Sequence, residues 1–298
     1  MASSIDLMTL RAIVAVADCG SISAGSDQVR LALAAVSARI ATLEADLGFQ
    51  IFNRTSRGVL ITPGGHMLVR RARELIADAD RLQSDLHDYR LGVQGHVRLV
   101  ANASSMLQVL PQRLETFRLA HPFVKVDVEE KISSEIPGAV LDGRADIGIL
   151  DLVHPLQGLR VHDMFVNHLG LIVSSRHALA ARSRVSLAEV IKENFIGLID
   201  GNAIAIRLNA AAIQCGENIN VRMQMRSFDA VCRMVAEGQG VGVLPVEAIA
   251  PQLAYLPIVA ISLADPWATR THRLAMREGA TPSVATESLA RILCAAAG

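Results

Sequence analysis

Aromatic residues are scarce in this 298-residue chain: seven Phe, two Tyr and one Trp, 3% of the whole. Its interior must therefore be packed from Ala, Leu, Val and Ile, which a 51% hydrophobic composition can supply. An excess of charge of one sign is missing too. Lys and Arg number 29, Asp and Glu 29, and the net charge is zero. That excludes a global basic field, so any nucleic-acid contact has to come from a local patch. Lysine stands only at Lys125, Lys131 and Lys192. No apolar run reaches the roughly 18 residues of a membrane span. The opening stretch, MASSIDLMTLRAIVAVADCG, lacks a basic leader and has Asp6 and Arg11 around its apolar part, which argues against a signal peptide. We expect a cytoplasmic chain with no membrane partner. Cys19, Cys215, Cys232 and Cys294 show no CxxC spacing and no nearby His pair. Free thiols in a reducing compartment are expected, with no metal and no cofactor.

The length suggests about two domains. In the first part, Leu7, Leu10, Val14 and Ala17 form a helical stripe that Gly20 is placed to end, and Ser21 is placed to cap a second helix. This second helix is short, over 23–29, and Arg30 and Leu31 make the turn. A third helix comes next and stops at Gly48. It buries Val36, Ile40, Leu43 and Leu47, spaced by four, three and four. Its opposite face holds Ala34, Ser37, Ala38, Ala41 and Ala45, where a solvated helix would carry charge. Two helices joined by a tight turn are a helix-turn-helix. Residues 51–54 and 58–62 pair as a hairpin around Thr55, Ser56, Arg57 and Gly58. Thr62 caps a long helix with Pro63 at its first position. In that helix Leu68, Ala72, Leu75, Ala79, Leu82, Leu86 and Tyr89 recur at alternating spacings of four and three, a coiled-coil period that predicts a dimer seam.

After LGVQGHVRLV the pattern changes to alternating strands and helices. The strand candidates are VRLVA, VKVDVEE, DIGIL, LGLIVS, FIGLI, VRMQMRS, GVGVLP and HRLAMR. Helices are expected near 105–120, 134–142, 203–215, 228–237 and 283–295. Such alternation implies a parallel sheet flanked by helices, and about 200 residues suggests two lobes around a cleft. The expected fold class is α/β. An enzyme finds no support. GQGVGVLP has its glycines before a strand, not between a strand and a helix. His162, His168 and His177 have no metal-ligand spacing, and no nucleophile–base arrangement is visible.

Three segments carry a resemblance: LRAIVAVADCGSISA, AAVSARIATLEADLGFQIFNRTSRG and ITPGG leading into the long helix. They resemble the N-terminal part of the LysR-type transcriptional regulators. LPQRLETFRLAHPFVKVDV, LDGRADIGIL and SFDAVCRMVAEGQGVGVLP are similar, less sharply, to that family's effector domain. The resemblance implies a winged helix-turn-helix over 5–62, a dimerising linker helix over 63–92, and a two-lobed effector domain over 95–298 resembling type 2 periplasmic binding proteins. It implies double-stranded DNA and a small effector as partners, and self-association as a dimer through the linker helix, usually a tetramer.

The third helix then corresponds to the family's recognition helix. Ala32-Leu33 replaces the common Ser-Gln, and Ala38 a basic residue, so the usual bidentate contacts to adenine and guanine are absent. That leaves a second reading, a small-molecule binding protein with a decayed DNA head. The expected DNA-facing residues are Arg30, Ala32, Leu33, Ala34, Ser37, Ala38, Arg39, Arg54, Arg57 and Thr62, with Arg70, Arg71 and Arg73 as further phosphate contacts. In the effector domain, hydroxyls and amides at helix starts favour an anion such as a carboxylate. Ser104, Ser105, Ser133, Asn202 and Ser227 are the candidates. No Arg lies at these positions, so neutral donors are expected to hold it.

Overall fold

In this computed structural model, residues 5–56, 58–90, 95–151 and 156–295 are described, except for the side chains of 84, 85 and 87–90. Two units are separated along the chain: Met1–Val93 with Leu141–Arg144, and Gln94–Val140 with Ala145–Gly298.

In the first unit, helix α1 (Leu7–Cys19) starts where Asp6 accepts from the Thr9 amide and ends at Gly20, with φ 61°. Ser21 caps α2 (Ile22–Gln28) through the Ala24 amide. Gly25 is required there, because a Cβ would sit 2.7 Å from the Val16 backbone. Arg30 makes the turn at φ 55°, the one non-glycine with positive φ among the described residues. Helix α3 (Leu33–Leu47) ends at left-handed Gly48. Strands β1 (Phe52–Thr55) and β2 (Gly58–Ile61) pair antiparallel, Arg54 opposite Val59. Ala12, Ile13 and Val16 of α1 pack with Val36, Ile40 and Leu43 of α3 and with Ile51 and Phe52. Each large aliphatic buried there contributes about 1.5–3 kcal/mol. The architecture is a winged helix-turn-helix.

Helix α4 (Pro63–Arg90) comes next. The expected seam is divided in the structure. Val69 and Ala72 are buried, and Leu68 packs against the same core. The ion pairs Arg11–Asp80 and Arg73–Asp18 tie α4 to α1. Leu75, Leu82 and Leu86 are more than half exposed. The Tyr89 side chain lies outside the described residues.

The second unit runs β3 (His96–Ala101), α5 (Ala103–Gln108), α6 (Leu110–Ala120), β4 (Lys125–Glu130), α7 (Ile136–Leu141), β5 (Ile147–Asp151), β6 (Leu159–Ser174), β7 (Arg184–Val185), α8 (Leu187–Val190), β8 (Asn194–Leu198), α9 (Ala203–Gln214), β9 (Asn220–Met225), α10 (Phe228–Ala236), β10 (Gly242–Pro245), α11 (Ala250–Tyr255), β11 (Ile258–Leu263), β12 (Thr269–Arg277) and α12 (Val284–Cys294). The expected helix over 105–120 is two helices that meet at Val109, just before Pro111.

The sheet is mixed, not parallel as the alternation implied. In the first lobe β3 lies parallel between β4 and β5, while β12 runs antiparallel to β5 and β6. The reason is topological. Strand β6 serves both lobes: Leu159–His168 pair with β12, and Leu169–Ser174 with β10 and β11. Strand β12 then carries the chain back antiparallel. The second lobe adds the parallel pair β8–β9, linked to the segment entering β10 by a Phe195–Val241 bridge. Separate hydrophobic cores fill the lobes, one around Leu99, Ile147 and Leu274, the other around Leu171, Phe195 and Val231. Among the described residues no helix is long and apolar enough to cross a membrane.

Candidate functional site

On the first unit, α3 presents exposed Leu33, Ala34, Ala38 and Ala41, with Ser37 half-buried among them. Arg54, exposed on β1, donates from Nη2 to Ser37 Oγ at 3.1 Å. The hairpin thus brings a cation to a helix face that has none of its own. Several other expected residues have partners within the first unit. Arg39 Nη1 donates to Asp6 Oδ2 at 2.8 Å and to Thr9 Oγ1 at 2.9 Å. It pins α3 to the start of α1 and is not a simple flanking cation. Asp6 is held below the usual carboxylate range, first by the Thr9 amide and also by Arg39. Thr62 donates to the Gln50 carbonyl at 2.7 Å and accepts from the Gly65 amide at 3.0 Å, the cap role expected of it. Ala32 is the N-cap of α3 and offers no side-chain acceptor. Arg30 is exposed in the turn, as is Arg70 on α4. Arg71 pairs with Glu74 at 2.8 Å, and Arg73 with Asp18. Arg57 lies outside the described residues.

In the second unit, a cleft is lined by Ser104, Ser133, Asn202, Arg226, Lys131 and Arg270, among others. Three of the five expected residues meet there. The true cap of α5 is Asn102, whose Oδ1 accepts from the Ser105 amide at 3.0 Å. Ser104 therefore faces the cleft. Ser105 is fully buried behind it, donating to Asn102 Oδ1 at 2.8 Å. Ser133 accepts from Asn102 Nδ2 at 3.1 Å, and Asn202 caps α9 through the Ile204 amide at 2.9 Å. Ser227 caps α10 but is exposed and outside the lining; its neighbours Arg226 and Phe228 line the cleft instead.

The cleft wall also carries a buried cation that the helix starts do not reveal. Arg270, at the start of β12 and 2% exposed, donates from Nη2 to Ser104 Oγ and from Nε to Asn167 Oδ1, both at 3.0 Å. Its counter-ion is Asp151, 3.6 Å from Nη1. Asp151, with a fully buried carboxylate, also accepts two bonds from Arg207 of α9, at 2.9 and 2.6 Å. Burial lowers the Arg270 pKa to about 10, opposed by Asp151, so the guanidinium stays charged at neutral pH. His272, two residues along β12, stacks on Phe165 with ring centroids 4.4 Å apart. Burial, reinforced by Arg270, lowers its pKa to about 3, so the ring is neutral. The Asp151–Arg207 pair joins the first lobe to the second, as does the Ser134 hydroxyl donating to the Gly201 carbonyl at 3.3 Å. The cleft has about 40 Å³ of cavity volume, room for a few waters. Among the described residues no cluster of His, Cys, Asp and Glu could hold a metal ion.

A winged helix-turn-helix, a long helix and a two-lobed domain with a charged cleft together define a one-chain regulator with a DNA-binding head and a small-molecule binding domain. The family model for bacterial regulatory helix-turn-helix proteins of the LysR family matches residues 7–66, and that for the LysR substrate binding domain matches residues 90–297. The chain belongs to the LysR family of transcriptional regulators. It is 26% identical to the HTH-type transcriptional activator BauR of Pseudomonas aeruginosa over 250 residues, covering 82% of this chain and 79% of that protein. Its structure is similar to that of CbnR, a LysR family transcriptional regulator, with TM-score 0.63 at 16% identity over 98% of this chain and 100% of that one. The regulatory domain of Synechocystis PCC6803 CcmR, solved in complex with 2-PG, gives TM-score 0.63 at 20% identity over 67% and 96% of the two chains. These two likenesses concern the fold.

Proposed function

We propose that the chain is a cytoplasmic regulator that binds double-stranded DNA as a dimer joined along α4, under the control of a small anion held in the cleft. The observation that carries the effector class is Arg270. It is a buried guanidinium at the cleft wall that shares its counter-ion Asp151 with Arg207, so these three side chains together carry one net positive charge. Such a site favours a single anionic group, a carboxylate for instance, received by Arg270, Ser104 and Ser133 from one side and Asn202 from the other. A ligand larger than a few waters requires the lobes to part and close again, and it shifts the population toward the arrangement it binds better. The shift reaches the DNA heads through the linker helices.

The exposed Leu75, Leu82 and Leu86 support the dimer, since apolar side chains at heptad spacing are stabilised by a second helix. The helix-turn-helix match runs through the alanine-faced α3, which supports a working DNA head over a decayed one. A thermal-shift series with acetate, benzoate, succinate and inorganic phosphate tests the effector class. At least one anion is expected to raise the melting temperature. Ser104→Ala is expected to weaken that anion two- to tenfold, since one lost hydrogen bond is worth about 0.5–1.5 kcal/mol. If Ser104→Ala binds every responding anion as wild type does, the site is misplaced.

A further inference from the structure

The outward positions of α3, Ala34, Ser37, Ala38, Ala41 and Ala45, carry no charge. Arg39 of the same helix is engaged with Asp6 and Thr9. A face of methyl groups can meet thymine methyls in a major groove but offers guanine nothing. The cation on this face comes from the hairpin. Arg54 leaves β1 and reaches Ser37 Oγ at 3.1 Å, which sets its guanidinium over the middle of α3. Ala34 and Ala41 lie one turn to either side of Ser37, and Ala38 beside it, with no atom beyond Cβ to displace the guanidinium or to hold the helix off a groove floor. The bond to Ser37 uses one of five guanidinium donors. The fork geometry retains two parallel donors of the kind that pair with guanine O6 and N7. Ser37, accepting from Arg54, keeps its own hydroxyl proton for a base acceptor beside it.

We propose that Arg54 is a base-reading residue: an arginine lent by the hairpin and oriented by Ser37, reading guanine across the alanine face of α3. The proposal rests on the reading of α3 and the hairpin as the DNA-facing surface. It differs from a phosphate anchor in one respect that can be measured. A phosphate needs only a cation, so lysine suffices. A guanine edge needs the planar fork, which lysine lacks.

The full-length chain and its Arg54→Lys, Arg54→Ala and Ser37→Ala variants are each used to select duplexes from a randomised pool. The enriched sites and a random duplex are then titrated by fluorescence anisotropy at several salt concentrations. Wild type is expected to enrich a motif with a guanine in each half-site. Arg54→Lys is expected to bind random DNA within about threefold of wild type, yet lose discrimination at that one position by on the order of tenfold or more. Ser37→Ala is expected to blur the same position and no other. An Arg54→Lys variant that returns the wild-type motif unaltered overturns the proposal. So does an Arg54→Ala variant that weakens motif and random DNA alike while keeping every base preference; Arg54 is then a phosphate anchor. A wild-type chain that enriches no motif overturns the reading of the head as a sequence reader, and the proposal with it.

Discussion

Replacing Asp151 by Asn isolates one charge that bridges the two lobes. The carboxylate is fully buried, takes two bonds from Arg207 at 2.9 and 2.6 Å, and stands 3.6 Å from the buried Arg270. Asp151→Asn keeps the shape and removes the charge, leaving two guanidiniums facing an amide. Removing one partner of a buried ion pair costs about 3–5 kcal/mol. Arg207 keeps partial access to water, and the amide oxygen still accepts, so the lower end applies: about 3 kcal/mol. With a urea slope of about 3 kcal/mol per molar, the unfolding midpoint falls by about 1 M. The variant also gains a second uncompensated positive charge at the cleft wall. Anion binding should therefore tighten as intrinsic stability drops. Acetate at about 100 times its Kd restores about 2.7 kcal/mol, and it reaches that ratio at a lower concentration in the variant than in wild type. The assay is urea unfolding followed by tryptophan fluorescence and circular dichroism, repeated across an acetate series at constant ionic strength. If the Asp151→Asn stability stays within about 0.5 kcal/mol of wild type, or acetate protects both proteins equally, the triad is not what holds this cleft and Arg270 is not its anion anchor.

Two further outcomes concern other parts of the chain. His272, with a folded pKa of about 3 set first by burial, is protonated earlier in the unfolded chain, near the ordinary histidine value of about 6.5. Its contribution to stability is therefore constant above about pH 6.5 and is lost as the pH falls from there toward 3; the loss is about 2 kcal/mol by pH 5. Urea unfolding at pH 7, 6 and 5 should show this slope in wild type and not in His272→Gln, and identical slopes would refute it. On α4, Leu75→Asp with Leu82→Asp places charge in the exposed apolar stripe. Sedimentation velocity should then find monomers where wild type gives dimers or larger, and an unchanged oligomer would reject the seam.

The head is legible in the sequence because its signals are local. Gly20, Ser21, Gly48, Thr62 and Pro63 each act within one helical turn, and each stands where the structure ends or starts an element. The heptad of α4 shows the limit of such signals. A period establishes that residues share a face, not what covers it. Ala72 meets the core of its own unit, while Leu75, Leu82 and Leu86 are left open. In the second unit, strands with continuous apolar runs can be read directly. The Leu159–His168 part of β6 cannot, because it carries His162, Asp163, Asn167 and His168. Much of it is exposed, so no apolar run marks it, and the register with β12 that makes it a strand lies about a hundred residues away. Strand β11 shows no strict alternation either: Ile258, Ile261 and Leu263 are its buried residues.

The cleft divides along the same line. Asn202 and Ser227 are N-caps that local rules locate, but a cap is placed by its own helix and not by a ligand. Of these two, only Asn202 lines the cleft. Arg270 belongs to no helix start, so helix starts alone do not reveal this buried cation. The sequence does contain a sign of it. Arg270, His272, Leu274 and Met276 alternate along β12, and all four face inward. Two titratable groups on the inward face of a strand otherwise filled by Leu and Met are costly to bury unless something pairs with them. Arginine in that register therefore implies a buried carboxylate from a distant segment. Asp151 closes the inward run Ile147–Asp151 of β5, an acid at the end of a fully buried strand. Taken as a pair, the two residues predict a charged cleft wall before any helix start is considered. Helix starts point to neutral donors alone because local hydrogen-bond donors say nothing of the charges that the fold is obliged to compensate.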